Sequence, residues 1–180
     1  MSSKGVYSHR LKIKFILRPF RKGDEISLQK NIDNKKIARN LATVPYPYTI
    51  KMAKEWVAKK LKENKNRQPI IIDFVIDING EVAGAIGFHK IEQEHRAEIG
   101  YWLAEKYWGS GIMTEAIREA SKFAFGKLKL KRIYAAVFPW NKASMRVLEK
   151  NGFKFEGILR KNTLKNGKLI DDHIFAKIKK

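Results

Sequence analysis

The stretch Glu98-Ile-Gly-Tyr-Trp-Leu-Ala-Glu-Lys-Tyr-Trp-Gly-Ser-Gly-Ile-Met-Thr-Glu-Ala116 holds the residues of this chain best placed to do chemistry. It reads as a strand that runs into a glycine-containing turn and opens a helix. Such a turn aims backbone N–H groups out of the positive end of the helix dipole, a geometry suited to a phosphate or pyrophosphate. Gly109 and Gly111 let the backbone approach that group where a Cβ would obstruct it. No Lys-[Ser/Thr] pair follows these glycines and the three-glycine dinucleotide pattern is incomplete, which disfavours nucleotide hydrolysis and nicotinamide binding. The chain has no Cys, so it offers neither a thiol nucleophile nor a thiolate metal site. His9, His89, His95 and His173 show no metal-ligand spacing, and no metal is expected. Further on, Asn141 can cap a helix that carries Ser144.

The elements that must position these groups follow from periodicity and punctuation. Alternation from Leu11 to Arg18 predicts a strand with one buried face. The spacing of Ile26, Leu28, Ile32, Ile37 and Leu41 predicts a helix from Asp24 to Asn40 with Asp24 as its N-cap. Pro45 and Pro47 keep the residues before them out of the helical region. Thr49 then caps a second helix through Glu63, with Met52, Trp56, Val57 and Leu61 on one face. Pro69–Ile78 and Val82–Ile91 form a hairpin around Asn79-Gly80, and Ala97–Leu103 continues as a strand. An apolar stripe after Gly111 predicts a helix ending near Gly126, and Arg132–Phe138 is again a strand. Asn151-Gly152 ends the Asn141 helix near Lys150, and Phe153–Leu159 and Leu169–Ile178 close the chain around Asn166-Gly167. The expected architecture is one α/β domain over residues 1–180, a mixed and mostly antiparallel twisted sheet with flanking helices.

Four segments resemble the GNAT acetyltransferases. Trp108-Gly-Ser-Gly111-Ile-Met113 is similar to that superfamily's pyrophosphate loop, departing from it at the first and last places in the manner of its ribosomal-protein branch. Asn141-Lys-Ala-Ser144-Met-Arg-Val-Leu-Glu149-Lys-Asn-Gly-Phe153 looks like the family's Asn-initiated helix. Val44-Pro-Tyr-Pro-Tyr-Thr49 with Glu55-Trp56, and Leu17-Arg-Pro-Phe20, complete the resemblance in chain order. It implies the acyl-coenzyme A N-acyltransferase fold with splayed central strands, and acetyl-coenzyme A as co-substrate. It implies that Trp108, Gly109, Ser110, Gly111, Ile112, Met113 and Thr114 hold the pyrophosphate, while backbone groups of Tyr101, Trp102 and Leu103 hold the pantetheine arm and acetyl group. Asn141 would cap its helix, touch the splayed strand and cofactor, or both.

Moving an acetyl group from a thioester to an amine needs a proton acceptor, a polarised carbonyl and a stabilised thiolate. The resemblance implies Glu98 as the base, directly or through water, and Ser144 as the hydrogen-bond donor or acid toward sulfur. The tyrosine that many members place on the Asn-initiated helix is Leu148 here, and the branch's strand glutamate falls at Thr163. Asp171 and Asp172 read as strand and turn residues with a chance of meeting substrate, and Tyr46, Tyr48, Trp56 and Trp102 as aromatics able to wall an acceptor pocket.

A formal charge of +20 attracts anionic partners by salt-screened steering. Ribosome, RNA, acidic peptide or phosphorylated cofactor all fit, and so does plain compositional bias, because the basic residues are scattered along the chain. The expected acceptor is a primary amine, by resemblance the N-terminus of a protein such as a ribosomal protein. A polyamine, an antibiotic amine or a lysine side chain are the nearer alternatives, and a non-catalytic RNA- or ribosome-binding module is the distant one. A polar Met1–Arg10 and the lack of a membrane-spanning apolar run predict a cytoplasmic protein with no membrane partner, monomeric or homodimeric.

Overall fold

The structure, a computed structural model, describes residues 6–7, 13–63 and 69–179. His9 and the Leu11–Lys12 start of the first expected strand lie outside the described residues. The elements run β1 (Val6–Tyr7), β2 (Lys14–Arg18), α1 (Glu25–Ile32), α2 (Lys35–Arg39), α3 (Ile50–Glu63), β3 (Ile72–Ile78), β4 (Glu81–Glu92), β5 (Arg96–Leu103), a 3₁₀ turn (Glu105–Tyr107), α4 (Ile112–Gly126), β6 (Arg132–Val137), α5 (Lys142–Lys150), β7 (Lys154–Lys165) and β8 (Lys168–Ile178). One sheet takes the order β1-β2-β3-β4-β5-β6-β8-β7. Every neighbouring pair in it is antiparallel except β5 and β6.

The two type I′-like corners fall where the sequence places them: Asn79 and Gly80 at φ 54° and 85°, and Asn166 and Gly167 at φ 49° and 74°. The single helix expected from Asp24 to Asn40 is instead two. Asn34 is extended, and its side chain accepts from the amides of Lys36 at 2.8 Å and Ile37 at 3.3 Å, so it ends one helix and starts the next. Asp24 caps nothing with its side chain. Its carboxylate is taken by the Arg18 guanidinium at 2.7 and 2.8 Å, a bidentate pairing stronger than a capping bond to an amide.

Helices cover both faces of the sheet. On one face, the small side chains Ala116, Ala120 and Ala124 line the buried side of α4 and let it lie close against the strands. Met145 and Leu148 bring α5 onto that same core. On the other face, α1, α2 and α3 pack through Leu28, Ile32, Ile37, Ala53 and Val57 against Val75, Val82 and Ala85. Each fully buried Ile, Leu or Val contributes about 1.5–3 kcal/mol, so both layers are held mainly by apolar contact.

Candidate active site

The parallel pairing of β5 with β6 stops early. It joins Arg96–Glu98 to Arg132–Tyr134, while β5 runs on to Leu103 and β6 to Val137. Beyond Glu98 the strands splay, and the edge of β5 facing the gap presents backbone donors and acceptors that β6 does not take. Gly84 lets β4 lie close against this end of β5: a Cβ there would lie 2.4 Å from the Trp102 carbonyl oxygen.

At the open end of the splay stands the glycine loop. Gly109 and Gly111 have φ of 73° and 85°, left-handed values that a side chain would strain, and Gly111 is the N-cap of α4. The Trp108 indole N–H donates to the Leu103 carbonyl at 2.7 Å, tying the loop back to the end of β5. The Ser110 hydroxyl donates to the Tyr107 carbonyl at 2.6 Å and accepts from the Ile112 amide at 3.3 Å. The leading amides of α4 are thereby aimed out of the positive end of the helix. A cavity of about 320 Å³ opens beside the loop, walled by Trp108, by Lys36 and Arg39 of α2, and by Trp140, Asn141 and Lys142. Its cations and the helix terminus together suit a diphosphate.

The model of the acetyltransferase (GNAT) domain matches residues 14–154, from the start of β2 to the first residue of β7. The chain belongs to that family. Among its relatives, an uncharacterized N-acetyltransferase of Bacillus subtilis (strain 168), YoaA, is 42% identical over 100 residues, 55% of this chain and 56% of that one. The ribosomal-protein-serine acetyltransferase of Escherichia coli (strain K12) is 33% identical over 106 residues, 58% of this chain and 59% of that one. The chain thus spans little more than half the length of these curated relatives. Among solved structures, Mycobacterium smegmatis RimJ in complex with CoA-disulfide superposes with a TM-score of 0.83 at 25% identity, covering 97% of this chain and 86% of that one.

Within this GNAT domain, alternation along β5 separates the two residues expected to do chemistry. Ser144 lies on the α5 side, where its Oγ and the Tyr101 hydroxyl share a hydrogen bond of 2.8 Å across the gap. Burial pushes the Tyr101 phenol well above its ordinary pKa, against a smaller lowering by Ser144, so it is an O–H at neutral pH. Asn141 Oδ1 accepts from the Ser144 amide at 3.2 Å and fixes the first turn of α5. Leu148 is fully buried in the core beneath that turn.

Glu98 is on the opposite face, where α1–α3 lie. Its carboxylate is 2.8 Å from the Lys90 ammonium, which is 74% exposed. It pairs across the strands with His89 on one side and Tyr134 on the other. Glu98 and Ser144 therefore flank the splay from its two sides and do not touch each other.

The expected aromatic wall divides. Tyr48 and Trp56 line a separate cavity of about 300 Å³ with Pro45, Met52, Glu55 and Lys59. Tyr46 is exposed, and Trp102 packs on the core beneath α1–α3. Among the described residues no cluster of His, Asp or Glu could hold a metal.

Three features escaped the sequence. The side chain of Tyr101 belongs to the site, where only its backbone was expected. Lys60, with a side chain 2% exposed, reaches Asp73 at 2.7 Å, and Asp73 in turn reaches His89 Nε2 at 3.3 Å. Lys165, at the tip of the β7–β8 hairpin, donates to the carbonyls of Ala38 at 2.9 Å and Leu41 at 2.6 Å, strapping the hairpin to α2. Lysine at these positions carries no local signal, because the partners are distant in the chain.

Proposed function

We infer that this chain is an acetyl-coenzyme A-dependent N-acetyltransferase, acting as a single domain over residues 1–180, whose acceptor is the N-terminal amine of a protein such as a ribosomal protein. The observation that carries the reading is the splay itself, with a diphosphate-binding helix start at its mouth, a carboxylate on one face and a half-buried hydroxyl pair on the other. Residues Trp108 to Thr114 hold the pyrophosphate and the open edge of β5 at Tyr101, Trp102 and Leu103 holds the pantetheine arm, with Asn141 setting the far wall.

Attack from the Glu98 face forms the N–C bond while the C–S bond breaks toward the Ser144 face. The ammonium proton passes to Glu98, directly or through water. The leaving thiolate accepts a hydrogen bond from Ser144, whose own oxygen accepts from the protonated Tyr101, and the second proton that the nitrogen sheds as the amide forms neutralises it to the thiol. Placing base and donor on opposite sides of the strands gives each step its own approach.

A formal charge of +20 repels polycationic amines, which argues against a polyamine acceptor. The reading places the protein in the cytoplasm, where ribosomal N-termini are made, and among the described residues no helix is long and apolar enough to cross a membrane. Isothermal titration with acetyl-coenzyme A tests the cofactor: saturable binding is expected, and its absence in pure protein rejects the reading. Ser144→Ala and Glu98→Gln are each expected to lower turnover by about 10²-fold while leaving that binding intact.

A further inference from the structure

The acceptor's amine is a cation until it is deprotonated, and it must approach a protein of formal charge +20. Some carboxylate has to receive it. Asp73, Glu98 and Asp172 are among the acidic side chains on the sheet face that Glu98 occupies, where Asp77 and Glu92 are each held by an arginine, and the strand registers place them. Asp73 is opposite Gly87, on the face of His89 and Glu98. Glu98 pairs with Tyr134, Tyr134 with Ala176, and alternation along β8 brings Asp172 to the same face.

Their partners differ. Asp73 is spanned by the Lys60 ammonium and His89. Glu98 is paired with Lys90. Asp172 is only 2% exposed, yet among the described residues its hydrogen-bond partners are two neutral donors, the Asn162 amide at 2.8 Å and the Thr163 hydroxyl at 2.6 Å. Both reach the same oxygen, Oδ2, which leaves Oδ1 for a third donor.

A local distortion of β7 builds this arrangement. Its pairing with β8 jumps from Leu159↔Asp172 to Thr163↔Ile170, so Arg160, Lys161 and Asn162 bulge opposite Asp171 alone. Lys161 takes φ 50° there, and its amide donates to Asp171 Oδ1 at 2.7 Å. Asp171 thus pins the bulge, and the bulge brings Asn162 and Thr163 over Asp172. The charge of Asp172 also extends toward Glu98, since Lys90 is held protonated mainly by Glu98 and in smaller part by Asp172.

We propose that Asp172 is the acceptor-binding carboxylate, whose Oδ1 receives the protonated primary amine before Glu98 takes its proton. The inference rests on the acetyl-transfer reading and refines it. The bond formed is an ion-paired hydrogen bond, so loss of Asp172 should weaken the amine and leave the thioester untouched.

Steady-state kinetics with acetyl-coenzyme A and a decapeptide beginning with Ser test this. Asp172→Asn is expected to raise the peptide KM at least tenfold, with kcat changed less than threefold and the acetyl-coenzyme A Kd unchanged by titration calorimetry. Thr163→Val with Asn162→Ala keeps the carboxylate and removes its holders, and should raise KM about threefold. That pair decides the matter should Asp172→Asn fail to fold. An unchanged peptide KM in the folded variants overturns the proposal, as does a parallel loss of acetyl-coenzyme A affinity, which marks a structural role. Acetyl-coenzyme A binding without transfer by the wild type, to peptide or to free amines, sinks the transfer reading and this inference with it. Normal transfer by Asp172→Asn sinks this inference alone.

Discussion

On the cofactor side of the splay, most of the bonds that shape the site join near neighbours in the chain: Trp108 reaches Leu103, Ser110 reaches Tyr107, and Asn141 reaches the amide of Ser144. On the face that carries Glu98 they join distant segments: Lys60 to Asp73, and Lys165 to Ala38 and Leu41. The first side is positioned by turn geometry and apolar helix packing, which act as soon as the local chain folds. The second is fastened by ionic and polar straps that exist only once the sheet is complete. The difference teaches that the straps share no hydrogen bond with the glycine loop, so on the proposed reading the two substrates should be separable by cutting a strap.

The largest effect is expected where the acceptor side depends on buried charge. Lys60→Met leaves Asp73 facing His89 alone, and breaking a buried pair from one side costs about 3–5 kcal/mol. Chemical denaturation should show that loss, and adding Asp73→Asn should restore part of it, because the stranded charge goes too. The lysine and histidine contacts outweigh burial and hold the Asp73 carboxyl below its ordinary value of 3.8. A lowered carboxyl stabilises the fold above its unfolded pKa and loses that stabilisation as pH falls through the folded value. The wild type should therefore lose stability below about pH 3.8 more steeply than the double variant. Equal acid limbs would break the comparison, since the strap would then hold nothing.

A smaller and opposite effect is expected on the cofactor side. Gly111 sits at φ 85°, where an L side chain costs about 1–2 kcal/mol. Gly111→Val should weaken acetyl-coenzyme A by about tenfold, the equivalent of 1.4 kcal/mol, and leave the peptide KM unchanged. Titration calorimetry and steady-state kinetics on one preparation separate the two.

The same division explains what the sequence disclosed. The glycine loop, the Asn141 cap, both Asn-Gly corners and the strand that carries Glu98 were legible because each is a local pattern with a local cause. Asp24 misled because an aspartate before an apolar run looks like a cap, and only the fold brings Arg18 against it. The break at Asn34 shows in the sequence only as a five-residue step from Ile32 to Ile37 between two pairs at helical spacing, Leu28–Ile32 and Ile37–Leu41, and those two pairs mask it. Thr163 looked like a lost carboxylate from the linear chain, and the hairpin shows it donating to one on the adjacent strand. Tyr101 was read for its backbone, since nothing near it announces that Ser144 lies across the gap.

The finest test of the two sides is Lys165. Its ammonium sits on one backbone carbonyl in the last turn of α2 and one just beyond it, where a cation also meets the negative end of the helix. Burial holds its pKa below the ordinary lysine value, so the contact carries a desolvation cost that offsets part of its gain. Lys165→Met keeps the aliphatic stem against Phe138, whose ring the ammonium approaches at 5.9 Å, and removes only the charge and donors. The net loss should be about 1 kcal/mol, the ordinary net contribution of a hydrogen bond. Because the strap joins the hairpin bearing Asp172 to the helix facing it, a several-fold rise in peptide KM should accompany that small loss, with the acetyl-coenzyme A Kd fixed. A shift in the cofactor Kd of equal size would show that α2 and the hairpin move the whole cleft together, and the two sides would then be one.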